Sequence, residues 1–275
     1  MSTVKHTMII ERLRRAHMIE LLNQGKRLDD RGLLDYRELK IKTGVVEKAN
    51  GSALVSLGNT QVMVGVKVEV GTPFPDTPDK GLLVVNAEVL PLASPYAEPG
   101  PPDENAIELA RVVDRGVRES EMIDLSKLCL IPGEKVYAVF ADVSILDVDG
   151  NLFDASSYGV VAALASATMP LYEVKDGNLE PTGEVAPLPV NTLPVSITMA
   201  RIGEVIVLDP TAEEEAVMDA RLTLVTDSEG NLCAGQKGGA GTFTPAQILE
   251  AAELALRKGE EIRAKIREAV EGGKA

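Results

Sequence analysis

The spacing of apolar positions changes character several times along the chain, and each change predicts an element. Between residues 4 and 24, Met8, Ile9, Leu13, Ala16, Met18, Leu21 and Leu22 fall roughly on one side of a helical period, and Asn23-Gln24-Gly25 supplies a stop. Gly25 to Tyr36 is charged and turn-rich. The period then becomes two. Glu38 to Val46 and Ala53 to Leu57 read as strands joined through Lys48-Ala49-Asn50-Gly51, and Gln61 to Val70 is a third, valine-rich strand after the break at Gly58-Asn59. Three consecutive strands on short turns predict an antiparallel sheet. A loop over Gly71 to Gly81 and a strand over Leu82 to Leu90 follow. Pro91, Pro95, Pro99, Pro101 and Pro102 then exclude regular structure. Irregular segments of that length inside a domain are usually functional or cover an edge.

Asp103 is placed to cap a helix running to about Ser120, with Glu104 at the positive end of its dipole. Val136 to Leu146 alternates like a strand and turns at Asp147-Val148-Asp149-Gly150-Asn151. Asp154 or Ser156 opens the next helix and Pro170 ends it; its Ala, Ser and Gly content suits close packing on a sheet. Pro181 to Pro194 reads as a proline-spaced connector. Strands are expected at Val195 to Ala200, Val205 to Leu208, Arg221 to Thr226 and Asn231 to Gly235. Thr244-Pro245-Ala246-Gln247 is a capping box that launches a long amphipathic helix over Ala246 to Val270. The order is α+β rather than alternating α/β. It divides into a helical extension (1–24), a first subdomain (25–190) and a second one (191–275) ending in the long helix.

Composition narrows the class. The 275 residues are 45% hydrophobic and 25% charged, which excludes wholesale disorder, and no apolar run approaches the ~20 residues of a membrane helix. The N-terminus lacks a signal peptide's apolar block. Cys129 and Cys233 stand alone, outside any C-x-x-C pattern, so neither a disulfide framework nor a zinc site is expected, and a reducing cytoplasm fits. A net charge of −14 argues against coating a nucleic acid non-specifically; any such contact needs a local basic patch.

Four groups of residues are candidates for chemistry. His6 and His17 are too far apart for a zinc pair and lack a nucleophile motif, so both read as structural. The loop Gly235-Gln236-Lys237-Gly238-Gly239-Ala240-Gly241 is either a phosphate cradle or a plain strand-to-helix turn; it matches neither a Walker motif nor a dinucleotide fingerprint. Glu213-Glu214-Glu215 with Asp219 is either a Mg²⁺ site or a solvated helical turn. The most informative feature is the helix after Asp103. There Arg111, Arg115 and Arg118 project from one stripe, and Ile107, Ala110, Val113 and Val117 form a separate stripe expected to face the core. Their forks match phosphate oxygens of a nucleic-acid backbone, or else pair with neighbouring acids such as Asp114.

The order of these motifs resembles the RNase PH family. Gly25-Lys26-Arg27-Leu28-Asp29-Asp30-Arg31, Tyr36-Arg37, Gly51-Ser52-Ala53, Gly58-Asn59-Thr60, the arginine helix, Asp149-Gly150 and Leu208-Asp209-Pro210 follow in the family's order. The N-terminal extension, the run Glu108 to Arg115 and the run Glu213 to Arg221 look most like the archaeal exosome's ring subunit that pairs with a catalytic paralogue. The resemblance implies a ribosomal-protein-like β-α-β core with mixed sheets packed with helices. It also implies a hexameric ring built as a trimer of heterodimers, RNA-binding cap subunits, and 3′-to-5′ phosphorolysis of single-stranded RNA.

Against the family's catalytic pattern, Asn151-Leu152-Phe153 follow Asp149-Gly150 without a hydroxyl or a guanidinium. Pro101-Pro102-Asp103-Glu104 stand where active members carry arginines, and the catalytic Asp has no secure counterpart, Glu215 occupying roughly its place. The chain is therefore expected to be catalytically silent, with no cofactor or metal of its own, inorganic phosphate being used by the partner. Arg111 and Arg115 match the positions through which this branch contacts RNA. Two alternatives remain: a competent nuclease using Asp219 or Glu215 with the Gly238-Gly239 loop, and a scaffold that makes no RNA contact.

Overall fold

The period-two pattern at the start of the chain folds as three antiparallel strands, β1 (Leu39–Thr43), β2 (Gly51–Leu57) and β3 (Thr60–Gly71). Val62, Val64, Val66 and Val68 alternate inward along β3. The computed structural model describes residues 14–94, 97, 100–175 and 178–273. Residues 4–13 of the expected first helix, His6 among them, and Pro95 and Pro99 lie outside the described residues. The helix described at residues 14–23 is α1. Its Met18 and Leu22 are buried in a small second core with Ala200, Ile202, Val207 and Val217.

The first sheet runs β1-β2-β3-β6-β4, with β4 (Leu82–Val89) parallel to β6 (Lys135–Asp147) and the short β5 (Cys129–Ile131) also on β6. Helix α2 (Glu104–Glu119) packs on β4 and buries Leu109, Val112, Val113 and Val117, whereas Ile107, expected to face the core, is exposed; Asp103 caps the helix by accepting from the Ala106 N–H. Helix α3 (Leu152–Ala165) touches β2, β3 and β9 (Val195–Ile202), and is buried nearly all round, as a helix pressed between two sheets must be. Its small residues allow that approach: a Cβ on Gly159 would come within 2.7 Å of Val64.

The second sheet is ordered β10-β9-β11-β12, adding β10 (Val205–Leu208), β11 (Ala220–Thr226) and β12 (Leu232–Gly238). The one-turn α4 (Ala212–Glu215) precedes β11, and α5 (Pro245–Gly272) lies across β9 and β11. The expected capping box is formed: Thr244 accepts from the Gln247 N–H while the Gln247 side chain accepts from the Thr244 N–H. One hydrophobic core runs continuously from Ala53 to Val270.

Three local expectations are corrected. Helix α3 begins at Leu152, not at Asp154 or Ser156, because buried Asn151 caps it from a left-handed conformation at φ 51°. Pro170 does not end that helix; it lies inside β7 (Thr168–Lys175). The proline-spaced segment is not a bare connector either, since β8 (Asn178–Pro187) pairs antiparallel with β7 as a separate hairpin. Prolines are tolerated there because a two-stranded ribbon has free edges on both sides.

Candidate nucleic-acid interface

Helix α2 presents its three arginines to solvent, and their surroundings differ. Arg118 is committed within the chain. It pairs with Asp114 one turn earlier at 2.7 Å and donates to the Leu83 carbonyl at 2.6 Å. Hydrogen bonds to Asp114, assisted by its charge, push the Arg118 pKa up against the cost of burial. Arg115 pairs with no acid among the described residues: its Nη1 donates to the neutral carbonyl of Gln236 on β12 at 3.2 Å. Arg111 has no hydrogen bond or ion pair among the described residues. Two uncompensated guanidinium groups, one helical turn apart, therefore stand on an otherwise acidic molecule.

Beside this face lies a cleft of about 640 Å³. Pro101, Pro102 and Asp103 form one wall, Leu152 and Phe153 another, and Glu88, Glu108, Glu215 and Arg221 also line it. Four acidic side chains thus face a single guanidinium among the described residues. That guanidinium is already occupied: Arg221 donates to Glu108 at 3.1 Å and lies 3.9 Å over the Phe153 ring. Burial pushes the Glu215 carboxyl above its ordinary range, partly offset by the bond it accepts from the Asn151 N–H at 2.9 Å. Phosphate binding calls for free amides, hydroxyls or cations aimed at one point. Among the described residues the lining is mainly carboxylates and apolar walls, with Ser94 and with Asn105, whose amide donates to Asp103.

Behind the cleft, the other motif residues build a buried polar hub. Asp209 accepts two side-chain bonds from Arg37, at 2.7 and 2.9 Å, one from Arg31 at 3.1 Å and one from Asn151 at 2.8 Å. Burial alone would raise its pKa, but the bonds and charge of Arg37 outweigh that and hold it below the ordinary value. Arg27 pairs with buried Glu214 through two nitrogens. Asp154 is fully buried, accepting from Tyr36, Thr198 and Asn151, and burial pushes its pKa up to about 6 despite those donors. Gly150 turns at φ +79°, and a Cβ there would sit 2.5 Å from the Thr211 backbone.

The other candidates separate. His17 is exposed on α1. Glu213 is exposed, Glu214 binds Arg27 and Glu215 faces the cleft, so the acid run points three ways. No group of three His, Cys, Asp or Glu among the described residues is arranged to hold a metal. Asp219 is absent from the described cleft lining. It instead anchors α1, accepting from Arg15 at 2.7 Å and from the Gly203 N–H at 2.8 Å. In the glycine-rich loop, Gly235 to Gly238 belong to β12. Gly239 and Gly241 allow close approach to the Asp219 backbone, where a Cβ would come within 2.9 and 2.7 Å.

Sequence reasoning missed Glu108, Phe153, Arg221 and Gln236 as members of this region. Glu108 and Arg221 are 113 positions apart, on α2 and β11, and meet only because α2 packs beside the second sheet.

Comparison with known proteins matches residues 35–170 to the 3′ exoribonuclease family, domain 1, and residues 192–258 to the same family's domain 2. Among curated proteins, the chain is 54% identical to "Exosome complex component Rrp42" of Thermococcus kodakarensis, across 95% of this chain and 97% of that protein. It is 50% identical to the protein of the same name from Methanopyrus kandleri, across 93% and 96%. Among solved structures, it matches a chain of the "archaeoglobus fulgidus exosome with RNA bound to the active site" at TM-score 0.86 and 47% identity, over 94% of this chain and 99% of that one. A chain of an "Archaeal exosome core" matches at TM-score 0.83 and 43% identity, over 94% and 98%. With both family domains matched in order on the expected fold, the chain belongs to the 3′ exoribonuclease, or RNase PH, family.

Proposed function

We propose that this chain is the non-catalytic subunit of an archaeal exosome ring. In that role it binds the RNA backbone through Arg111 and Arg115 and helps to shape the active site of a catalytic RNase PH-like partner. The partner binds inorganic phosphate and supplies acid chemistry for 3′-to-5′ phosphorolysis; this subunit supplies cations that hold the strand. The relatives named above carry the assembly. The observation that carries the silence is the cleft. Of the positions where the resemblance places anion-binding groups in active members, Pro101, Pro102, Asp103, Leu152 and Phe153 line it, and they bring prolines, a carboxylate and apolar side chains. An attacking phosphate would enter facing Glu88, Asp103, Glu108 and Glu215, with Arg221 already paired.

The division of labour is tested by phosphate-dependent release of nucleoside diphosphates from a 3′-hydroxyl single-stranded RNA. The chain alone is expected to be inactive, and the mixture with its catalytic paralogue active. In that mixture, replacing both Arg111 and Arg115 by Glu should weaken RNA binding and flatten its salt dependence by at least about 1.4 in log–log slope, the share of two backbone contacts on a single strand. Turnover by the chain alone would sink the silent reading; unchanged RNA affinity would leave only a scaffold.

A further inference from the structure

Of the three arginines on α2, only Arg115 is held by a side chain that does not cancel its charge. Gln236 spans two turns of the helix: its carbonyl accepts from Arg115 at 3.2 Å, and its amide nitrogen donates to Glu108 at 3.1 Å. The charges fix the orientation of that amide, because a carboxylate can only accept and a guanidinium can only donate. Glu108 is in turn fixed by Arg221, whose guanidinium stacks on Phe153. The chain of contacts Phe153–Arg221–Glu108–Gln236–Arg115 therefore runs from the wall of the cleft to the exposed arginine face.

We propose that Gln236 is the positioning residue for Arg115 in RNA binding, an inference that rests on the RNA-backbone role proposed above. A neutral acceptor uses one nitrogen of the fork and leaves the others, and the full positive charge, for phosphate oxygens. An acid in its place would hold Arg115 more tightly and cancel the charge, which is how Asp114 treats Arg118. Gln236 also keeps Glu108 occupied, so that this carboxylate is not left to draw Arg115 toward itself.

The test uses the ring assembled with its catalytic paralogue. Affinity for a fluorescent 3′-hydroxyl single-stranded RNA is measured without phosphate across a salt series, for Gln236→Leu, Gln236→Glu, Arg115→Ala and the paired variants. Gln236→Leu should weaken binding by about threefold, the scale of one hydrogen bond's net worth. Gln236→Glu should weaken it further, by about tenfold, and lower the salt slope by about 0.7, as if one backbone contact were lost. Neither substitution should matter once Arg115 is Ala. A Gln236→Glu ring that keeps wild-type affinity and slope overturns the proposal, as does a Gln236→Leu effect of equal size in the Arg115→Ala background. If Arg115→Ala itself leaves RNA affinity unchanged, the RNA-backbone reading falls and this proposal with it. If only the Gln236 variants are silent, the positioning role alone is lost.

Discussion

Asp154 and Asp209 are both buried carboxyls, and they respond to pH in opposite ways because their partners differ in charge. Asp209 faces guanidinium groups and is held below its ordinary value, so its contribution is present above the unfolded value of 3.8 and is lost as pH falls through its lower folded value. Asp154 has only neutral donors, and burial raises it to about 6. Its folded form binds a proton that the unfolded form has already released, so its contribution is largest below about pH 4 and declines until pH passes about 6. For a carboxyl moved from 3.8 to about 6, that decline is about 2 kcal/mol between pH 4.5 and 7. Comparing urea unfolding of the wild-type chain and Asp154→Asn at those two pH values isolates it: the variant's curve should lack this loss. Equal pH dependence in both proteins would mean that Tyr36, Thr198 and Asn151 hold Asp154 ionised throughout.

Elements whose apolar period was clear were legible in the sequence, and those held by partners distant in the chain were not. The alternation of Val62, Val64, Val66 and Val68 marked β3, and the capping box at Thr244 marked the start of α5. The β7–β8 hairpin escaped because its strands carry Pro170, Pro181 and Pro187 and no clean alternation; Tyr137 reaches over from β6 and donates to the Pro170 carbonyl at 2.6 Å. The arginine stripe of α2 was legible from helical spacing alone. The neutral partner of Arg115 was not, because Gln236 is 121 positions away. Asp219 shows the same gap between type and place: an acid near an acid run, it in fact ties α1 to the second sheet. Asp219→Asn should therefore cost about 1 kcal/mol in unfolding experiments, the scale of a half-exposed pair with one backbone bond largely retained. Phosphorolysis by the assembled ring should be unchanged. A loss of turnover that exceeds the loss of stability would return Asp219 to the reacting site.

At the scale of the whole molecule, several arginines are spent on acids of the same chain. Arg27, Arg31 and Arg37 are spent inward on Glu214 and Asp209, and Arg118 on Asp114, while Arg111 and Arg115 face outward from a body of net charge −14. The field of that net negative charge opposes polyanions at long range, so RNA contact has to rest on local guanidinium groups such as these two. The same field acts on small anions at the cleft, where carboxylates outnumber the single paired guanidinium. A ligand that binds only the folded state stabilises it by mass action, so phosphate binding would appear as a rise in melting temperature with phosphate concentration. The isolated chain should melt at the same temperature in sodium phosphate as in sodium chloride of matched ionic strength. The catalytic paralogue, with its phosphate pocket intact, should be stabilised by phosphate under the same conditions. If this chain were stabilised equally, with the effect abolished by Arg221→Ala, then Arg221 would have to leave Glu108 for the anion, and the acidic cleft would be a working phosphate site despite its carboxylates.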